Sequence, residues 1–312
     1  MFRALVFGVF LVIVFPAPAS ALVVFERPAS REIVAVHDDG SSARVVAHGY
    51  GAVVSPDGRR VAYMGVQGGQ PSGQARLVGT RGGRSRLLAR DATTGAYWSP
   101  NGRYVVVGRH VDNARLIVDG AWLNDVVHRR RRYVDLIGNF SRAGFSPNSA
   151  IALIAYDAVD VENTLELRIG HRGVRDVDAP TLPLWGRRGL AYYQDNGDRY
   201  ASATYSEVIF ARRLGGRTRL LAGTGAFPVA WSADGTRLLV EEATRTVLFR
   251  AVLFSPATGT QQTLATPLST ISALSRDGRH VLGHLHGNVV SEGLDGKIKI
   301  LAHHAANPSW TQ

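Results

Sequence analysis

Short apolar runs rich in Val, Ala, Leu and Tyr recur along the chain, separated by small polar turns. Residues 51–65, GAVVSPDGRRVAYMG, show the unit. Two β-prone segments flank Ser55-Pro56-Asp57-Gly58, where proline pre-sets φ for the second turn position, aspartate bonds back to the backbone and glycine accepts a positive φ. The pattern predicts a β-hairpin. It returns at Ser99-Pro100-Asn101-Gly102, Ser146-Pro147-Asn148, Ser232-Ala233-Asp234-Gly235 and Ser275-Arg276-Asp277-Gly278.

The residues just before these turns, Val54, Trp98, Phe145, Trp185, Trp231 and Leu274, fall about 40 to 47 residues apart, the period of a four-stranded propeller blade. The unit at Trp185-Gly186-Arg187-Arg188-Gly189 is degenerate, keeping the aromatic and the final glycine but not proline or aspartate. A second, glycine-containing turn recurs in each unit: 81–84 leads to Leu87-Leu88, 214–217 to Leu220-Leu221 and 295–297 to Ile300-Leu301. Each unit therefore reads as four strands and two hairpins.

The chain ends are complementary. Strand-like runs at 22–25, 32–37 and 43–47 lack a leading hairpin strand, whereas Asn307-Pro308-Ser309-Trp310-Thr311 repeats a first strand and then stops. Pairing the two ends completes a composite blade and removes two exposed sheet edges. The expectation is an all-β propeller of seven four-stranded blades, closed by pairing of the N- and C-terminal strands; six blades follow if the Trp185 unit or the composite blade fails. The period-locked Trp98, Phe145, Trp185, Trp231 and Trp310 are expected to pack blade against blade rather than to stack on a ligand.

The S-P-D-G-R hairpin carried by Ser55-Pro56-Asp57-Gly58-Arg59, and in variant form by Ser99-Pro100-Asn101-Gly102-Arg103, Ser232-Ala233-Asp234-Gly235 and Ser275-Arg276-Asp277-Gly278-Arg279, resembles the repeats of TolB-like β-propellers, also called PD40 or WD40-like repeats. The resemblance covers nearly all of the chain after residue 21. It implies the fold and says little about function, because propellers host binding, scaffolding and several enzymatic chemistries. TolB proteins also carry a small α/β domain ahead of the propeller. Blade-like strands here begin at Leu22, so a Tol-specific role is not carried over. There is no G-x-S-x-G nucleophile elbow.

Composition changes the picture in three ways. The absence of cysteine removes disulfides, thiolate zinc sites and a lipidated N-terminus. Thirty-six Lys and Arg against 25 Asp and Glu give a formal net charge of +11, which favours anionic partners. Arg3, the apolar run at 4–15 and the small residues up to Ala21 read as a signal peptide over 1–21, leaving 22–312 as a single propeller domain. An uncleaved anchor is the other reading of that segment. No later segment is long and apolar enough to span a bilayer. The expected location is the periplasm, cell envelope or exterior of a bacterium.

Two stretches stand out from the repeats. His128 precedes Arg129, Arg130, Arg131 and Arg132, followed by Tyr133. Consecutive guanidinium groups beside an aromatic suit an acidic glycan, a phosphate polymer or lipid headgroups, or simply a solvated strand. His280, His284 and His286 alternate in step with a strand, so their imidazoles share one face and form a candidate metal site, although the spacing matches no named motif. Asp157, Asp160 and Glu162 read as loop carboxylates, with calcium binding or acid–base work as the sharper reading. The functional expectation is an exported, non-catalytic and monomeric recognition or scaffold module for an anionic envelope polymer or an envelope protein. Nucleic acid is a less accessible partner there, and no cofactor is implied. The alternative is a propeller enzyme of lyase, lactonase or glycosidase type with a site at the channel mouth.

Overall fold

The computed structural model describes residues 21–311 apart from 69, 114–115, 137–138, 159–160, 172, 178–183, 188, 196–205, 214–215, 224, 233, 245–247 and 276. Residues 1–20, which hold most of the expected signal peptide, lie outside the described residues, as does Asp160. The described chain is built from antiparallel strands that form seven blades, numbered here from the N-terminus.

Five blades are separate four-stranded sheets: blade 3 (92–135), blade 4 (139–177), blade 5 (184–222), blade 6 (226–263) and blade 7 (270–303). Blades 1 and 2 share one seven-stranded sheet because the long strand Arg44–Val54 serves both. Its leading half pairs with Glu32–His37 as the outermost strand of blade 1. Its trailing half pairs with Arg60–Gln67 as the first strand of blade 2.

Blade 1 closes the ring. Its first strand is the C-terminal Ala306–Trp310, which pairs antiparallel with the N-terminal Leu22–Arg27 through Val23↔Trp310, Val24↔Ser309 and Glu26↔Ala306. Main chain adds a clasp: Leu22 N donates to Thr311 Oγ1 at 3.2 Å, and Thr311 N to the Leu22 carbonyl at 3.1 Å. The seven-blade count and the pairing of the chain ends thus agree with the repeat arithmetic.

Inner strands are apolar on both sides because each blade packs against two neighbours. In blade 3, Val105, Val106 and Val107 are all fully buried. Val105 and Val107 face blade 2, and Val106 faces blade 4. Six of the seven blade-to-blade seams hold one apolar cluster apiece. The seam between blades 4 and 5 is thinner among the described residues, with Trp185 bridging Leu153 and Ala155 on one side to Leu190 and Tyr192 on the other. There the degenerate turn is also shortened, since Gly186 pairs directly with Gly189.

Candidate functional site

The recurring turns are local scaffolding. In each, a buried serine hydroxyl donates to the Asp or Asn two residues on and accepts from a backbone N–H five residues on, as Ser55 does with Asp57 (2.5 Å) and Arg60 N (3.0 Å). Ser99, Ser146, Ser232 and Ser275 repeat both contacts. The fourth turn position is left-handed throughout, with φ of 68° at Gly58, 65° at Gly102, 66° at Gly235 and 67° at Gly278. Only the third turn places a side chain there, at Ser149 (φ 57°), whose hydroxyl accepts from Asn101 N of the preceding turn at 3.2 Å. Neighbouring turns are tied further by Arg60 and Arg237, which donate to the carbonyls of Gly102 and Gly278. These serines, prolines, aspartates and asparagines are committed to the hairpins and to holding one turn against the next.

The aromatic residues before the turns lie in the seams. Phe145 and Trp310 are buried, and Trp98 and Trp231 are partly buried against clusters contributed by two blades. The indole N–H of Trp98 donates to the Val53 carbonyl at 3.1 Å, and that of Trp231 to the Leu184 carbonyl at 3.0 Å. In both, the acceptor is the residue one before the equivalent position of the preceding blade. The same first strands enclose an axial cavity of about 780 Å³. Its wall is aromatic and backbone-lined, with Tyr97, Trp98, Trp185 and Trp231 around it and Pro56, Pro100 and Pro147 at the turn-bearing end. Arg187 is its one charged side chain among the described residues, and no carboxylate or histidine lines it there. This wall suits apolar and stacking contacts, and its described side chains include no carboxylate or imidazole.

Among the described turn residues, arginine is concentrated at one end of the propeller. In an antiparallel four-stranded blade, the first and last hairpin turns fall at one end and the middle turn at the other. The end that carries the first turns, and hence the cavity mouth, bears Arg59, Arg103 and Arg279 beside them, and Arg81, Arg84 and Arg129 in the last turns of blades 2 and 3. Arg187, Arg212, Arg213 and Arg217 extend the set around blade 5. The acidic groups at this end are Asp38 and Asp39, which accept from Ala21 N and Ser41 N, Asp57, Asp234 and Asp277, which accept from their turn serines, Asp125, paired with Arg103, and Asp295, paired with Lys297 at 3.1 Å; the arginines outnumber them. At the opposite end, the described turn residues include only Arg31 and Asp91 as charged side chains. These arginines are scattered in sequence, so no single run announces them. The readable signal is an arginine directly after three of the D/N-G turns.

The arginine run occupies the last turn and outermost strand, Arg130–Asp135, of blade 3, and strand alternation divides it. Arg129 sits in the turn with φ of 57°, and Arg129, Arg130 and Arg131 are exposed. Arg131 lies over the Trp122 ring at 4.7 Å, and Tyr133 packs on the same ring at 4.8 Å with Arg109 5.3 Å from its own ring. Arg132 points to the other side and donates to the His171 carbonyl of blade 4. The run is therefore not one patch; Arg129 joins the cationic end, and the rest lines an outer strand whose charges also discourage edge-to-edge pairing. Nearby, Asp125 is held by Arg103 at 2.7 Å and by His128 at 3.0 Å. Burial pushes its carboxyl up, but these hydrogen bonds prevail and hold it well below the ordinary carboxylate range.

The histidines do not converge. His280 begins the strand His280–Leu285, with its ring 6.4 Å from that of Trp310. His284 lies four residues on, about 13 Å away at the rise of an extended strand. His286 is in the following turn with φ of 48°. Axial rise separates His280 from His284, His286 lies beyond the strand, and no group of three or more His, Cys, Asp or Glu suited to a metal occurs among the described residues. The side chains of Asp157 and Glu162 lie outside the described set.

The architecture defines a β-propeller, and comparison with solved structures agrees. TolB from Acinetobacter baumannii matches 94% of this chain with a TM-score of 0.56 at 14% identity, and the match covers 66% of that chain. A puromycin-hydrolyzing peptidase of Mycobacterium tuberculosis matches 90% with a TM-score of 0.66 at 14% identity, covering 51% of its own length. The chain thus spans less than two thirds of TolB and about half of the peptidase. A putative 6-phosphogluconolactonase from Bacteroides uniformis matches 93% with a TM-score of 0.61 at 11% identity, covering 99% of that protein. Likeness at such identities shows the shared fold alone. No family model matches the chain, and comparison with curated proteins finds no match. No helix among the described residues is long and apolar enough to cross a membrane.

Proposed function

We propose that this protein is an exported, non-catalytic recognition module that holds an anionic polymer of the cell envelope on the turn-bearing end of the propeller. The observation that carries the reading is the concentration of arginine at one end among the described turns. Arginines in the first and last turns crowd around an apolar axial mouth, while the described turns of the opposite end are nearly free of charge. Guanidinium groups recognise carboxylate and phosphate through paired N–H donors, and a surface on which arginine is in excess draws in an extended polyanion. The described wall of the cavity supports binding over chemistry, because its only charged side chain is Arg187. Export rests on residues 1–21, with their charged start, apolar run and small-residue ending.

The test is retention on an immobilised glycerol-phosphate polymer at low and moderate salt. Replacing Arg81, Arg84 and Arg129 together by Ser should weaken retention and flatten its salt dependence, whereas replacing the rim residues Arg130 and Arg131 should do so less. Salt-insensitive retention, or equal loss from both sets, overturns the assignment to the turn-bearing end.

A further inference from the structure

Away from the axis, the outer part of the seam between blades 1 and 2 holds a second cavity of about 320 Å³. It is lined by His48 from the outermost strand of blade 1 and by residues of the second and third strands of blade 2, among them Tyr63, Gln67, Ser72, Gln74 and Arg76. This wall is polar where the seam deeper in is apolar.

Three features set it apart from an ordinary surface hollow. Arg76 is fixed by neutral partners only, through Nη1 to Ser85 Oγ and Nη2 to Gln74 Oε1, both at 2.9 Å. No carboxylate among the described residues pairs with it; Glu32, which lies opposite His48 across the strands, is taken by Arg27 at 3.0 Å. The Ser72 hydroxyl is buried and has no hydrogen-bond partner among the described residues. Finally, position 65 lacks a side chain where one would be crowded, since a Cβ there would meet Ser72 Oγ at 3.0 Å and Arg76 Cδ at 3.2 Å. Gly65 lets Ser72 and Arg76 close over the strand.

We propose that this seam cavity binds a small hydroxylated carboxylate. A pre-oriented guanidinium without a countercharge supplies the carboxylate partner, and an unpartnered hydroxyl, two amides and a phenol supply contacts for hydroxyl groups. The volume falls at the lower end of small-ligand pockets, the scale of one sugar acid. None of the turn arginines lines this site, and it does not depend on the polymer-binding reading.

Titration of the full protein with glucuronate, followed by calorimetry and by two-dimensional NMR, tests it, with glucose and acetate as controls. Saturable glucuronate binding is expected, with glucose and acetate at least tenfold weaker, on the order of one hydrogen bond to a charged group. Arg76→Gln should weaken glucuronate about tenfold or more at an unchanged thermal unfolding midpoint. Ser72→Ala, which keeps the charge and the backbone, should weaken it by a smaller factor and serves if Arg76→Gln fails to fold. Absence of saturation by about 10 mM, equal binding of glucose or of acetate, or unaltered affinity in both variants overturns the proposal.

Discussion

Glu26 Oε2 accepts a hydrogen bond at 3.0 Å from Asn307 Nδ2, joining residues from opposite ends of the chain inside one blade. The other oxygen of the same buried carboxylate accepts from Ala52 N, also at 3.0 Å, so Glu26 ties the closing strand of blade 1 to the first strand of blade 2. Ser309 Oγ reinforces the joint by accepting from Val54 N at 2.9 Å. Glu26→Ala leaves the Ala52 N–H and the Asn307 amide without partners, and should cost about 3 kcal/mol. Ser309→Ala, which removes one neutral acceptor, should cost about 1 kcal/mol. Denaturant unfolding monitored by tryptophan fluorescence measures both. A Glu26→Ala loss no larger than that of Ser309→Ala means the carboxylate is not the clasp.

The turn serines make a matched series. Ser232→Ala removes an acceptor for Arg237 N and a donor to Asp234, and should destabilise by about 1–2 kcal/mol. It also carries a pH signature. The Ser232 hydroxyl, with help from Thr236 N–H, holds the Asp234 carboxyl down at about 2. A depressed folded-state pKa contributes stability that is fully present above the ordinary aspartate value and is lost as pH falls towards 2. In Ser232→Ala the acid unfolding limb attributable to Asp234 should shrink, as it should in Asp234→Asn. Parallel acid limbs in all three proteins contradict the assignment.

The blade count was legible because each turn is written in local chemistry: Ser55, Asp57 and Gly58 are chosen by contacts within a few residues of themselves, so every repeat prints its own position. The composite blade was legible for the same reason, Trp310 being a first-strand residue with no strand after it. What the sequence concealed depends on which end of a blade a residue reaches. Arg81, Arg103 and Arg279 are far apart in the chain and share one end only because antiparallel pairing returns each hairpin there. Arg131 and Arg132 are adjacent in sequence and yet leave their strand on opposite sides. His280 and His284 share one strand in sequence terms, but the rise of that strand, about 13 Å over four residues, sets them apart. The seam cavity around Arg76 was invisible for a further reason: Gly65, Ser72 and His48 acquire meaning only when two blades stand side by side.

The period-locked tryptophans are not equivalent. Trp98 and Trp231 each donate to a carbonyl of the preceding blade, whereas the indole nitrogen of Trp185 is buried without a partner among the described residues. Trp231→Phe therefore loses a hydrogen bond as well as ring area and leaves the Leu184 carbonyl with one contact fewer, while Trp185→Phe loses area and relieves an unsatisfied donor. The first substitution should be the more destabilising by about 1 kcal/mol. Paired equilibrium unfolding curves decide it. The reverse order would show that ring packing across the thin seam between blades 4 and 5 outweighs the hydrogen bond.

Glu241 gives the molecule a pH dependence of the opposite sign to that of Asp234. It lies on the strand Leu238–Ala243, second in blade 6, and burial pushes its carboxyl up to about 7. The unfolded chain releases this proton near the ordinary glutamate value, so from there up to about 7 the folded state holds one proton more than the unfolded state. Stability contributed at this position should therefore fall as pH rises through that window and level off above it, with a total loss of about 3 kcal/mol. Glu292, buried in blade 7 with Oε1 accepting from Thr266 N at 3.2 Å, is pushed up by burial as well and adds to the same trend. Glu241→Gln keeps the shape and removes the ionisation. Relative to the parent it should be nearly neutral at about pH 4.5 and stabilising at about pH 8, with most of the difference developing between those values. Denaturation midpoints measured at both pH values provide the comparison. An advantage for Glu241→Gln that is the same at both would show that Glu241 ionises in the folded protein as readily as it does in the unfolded chain.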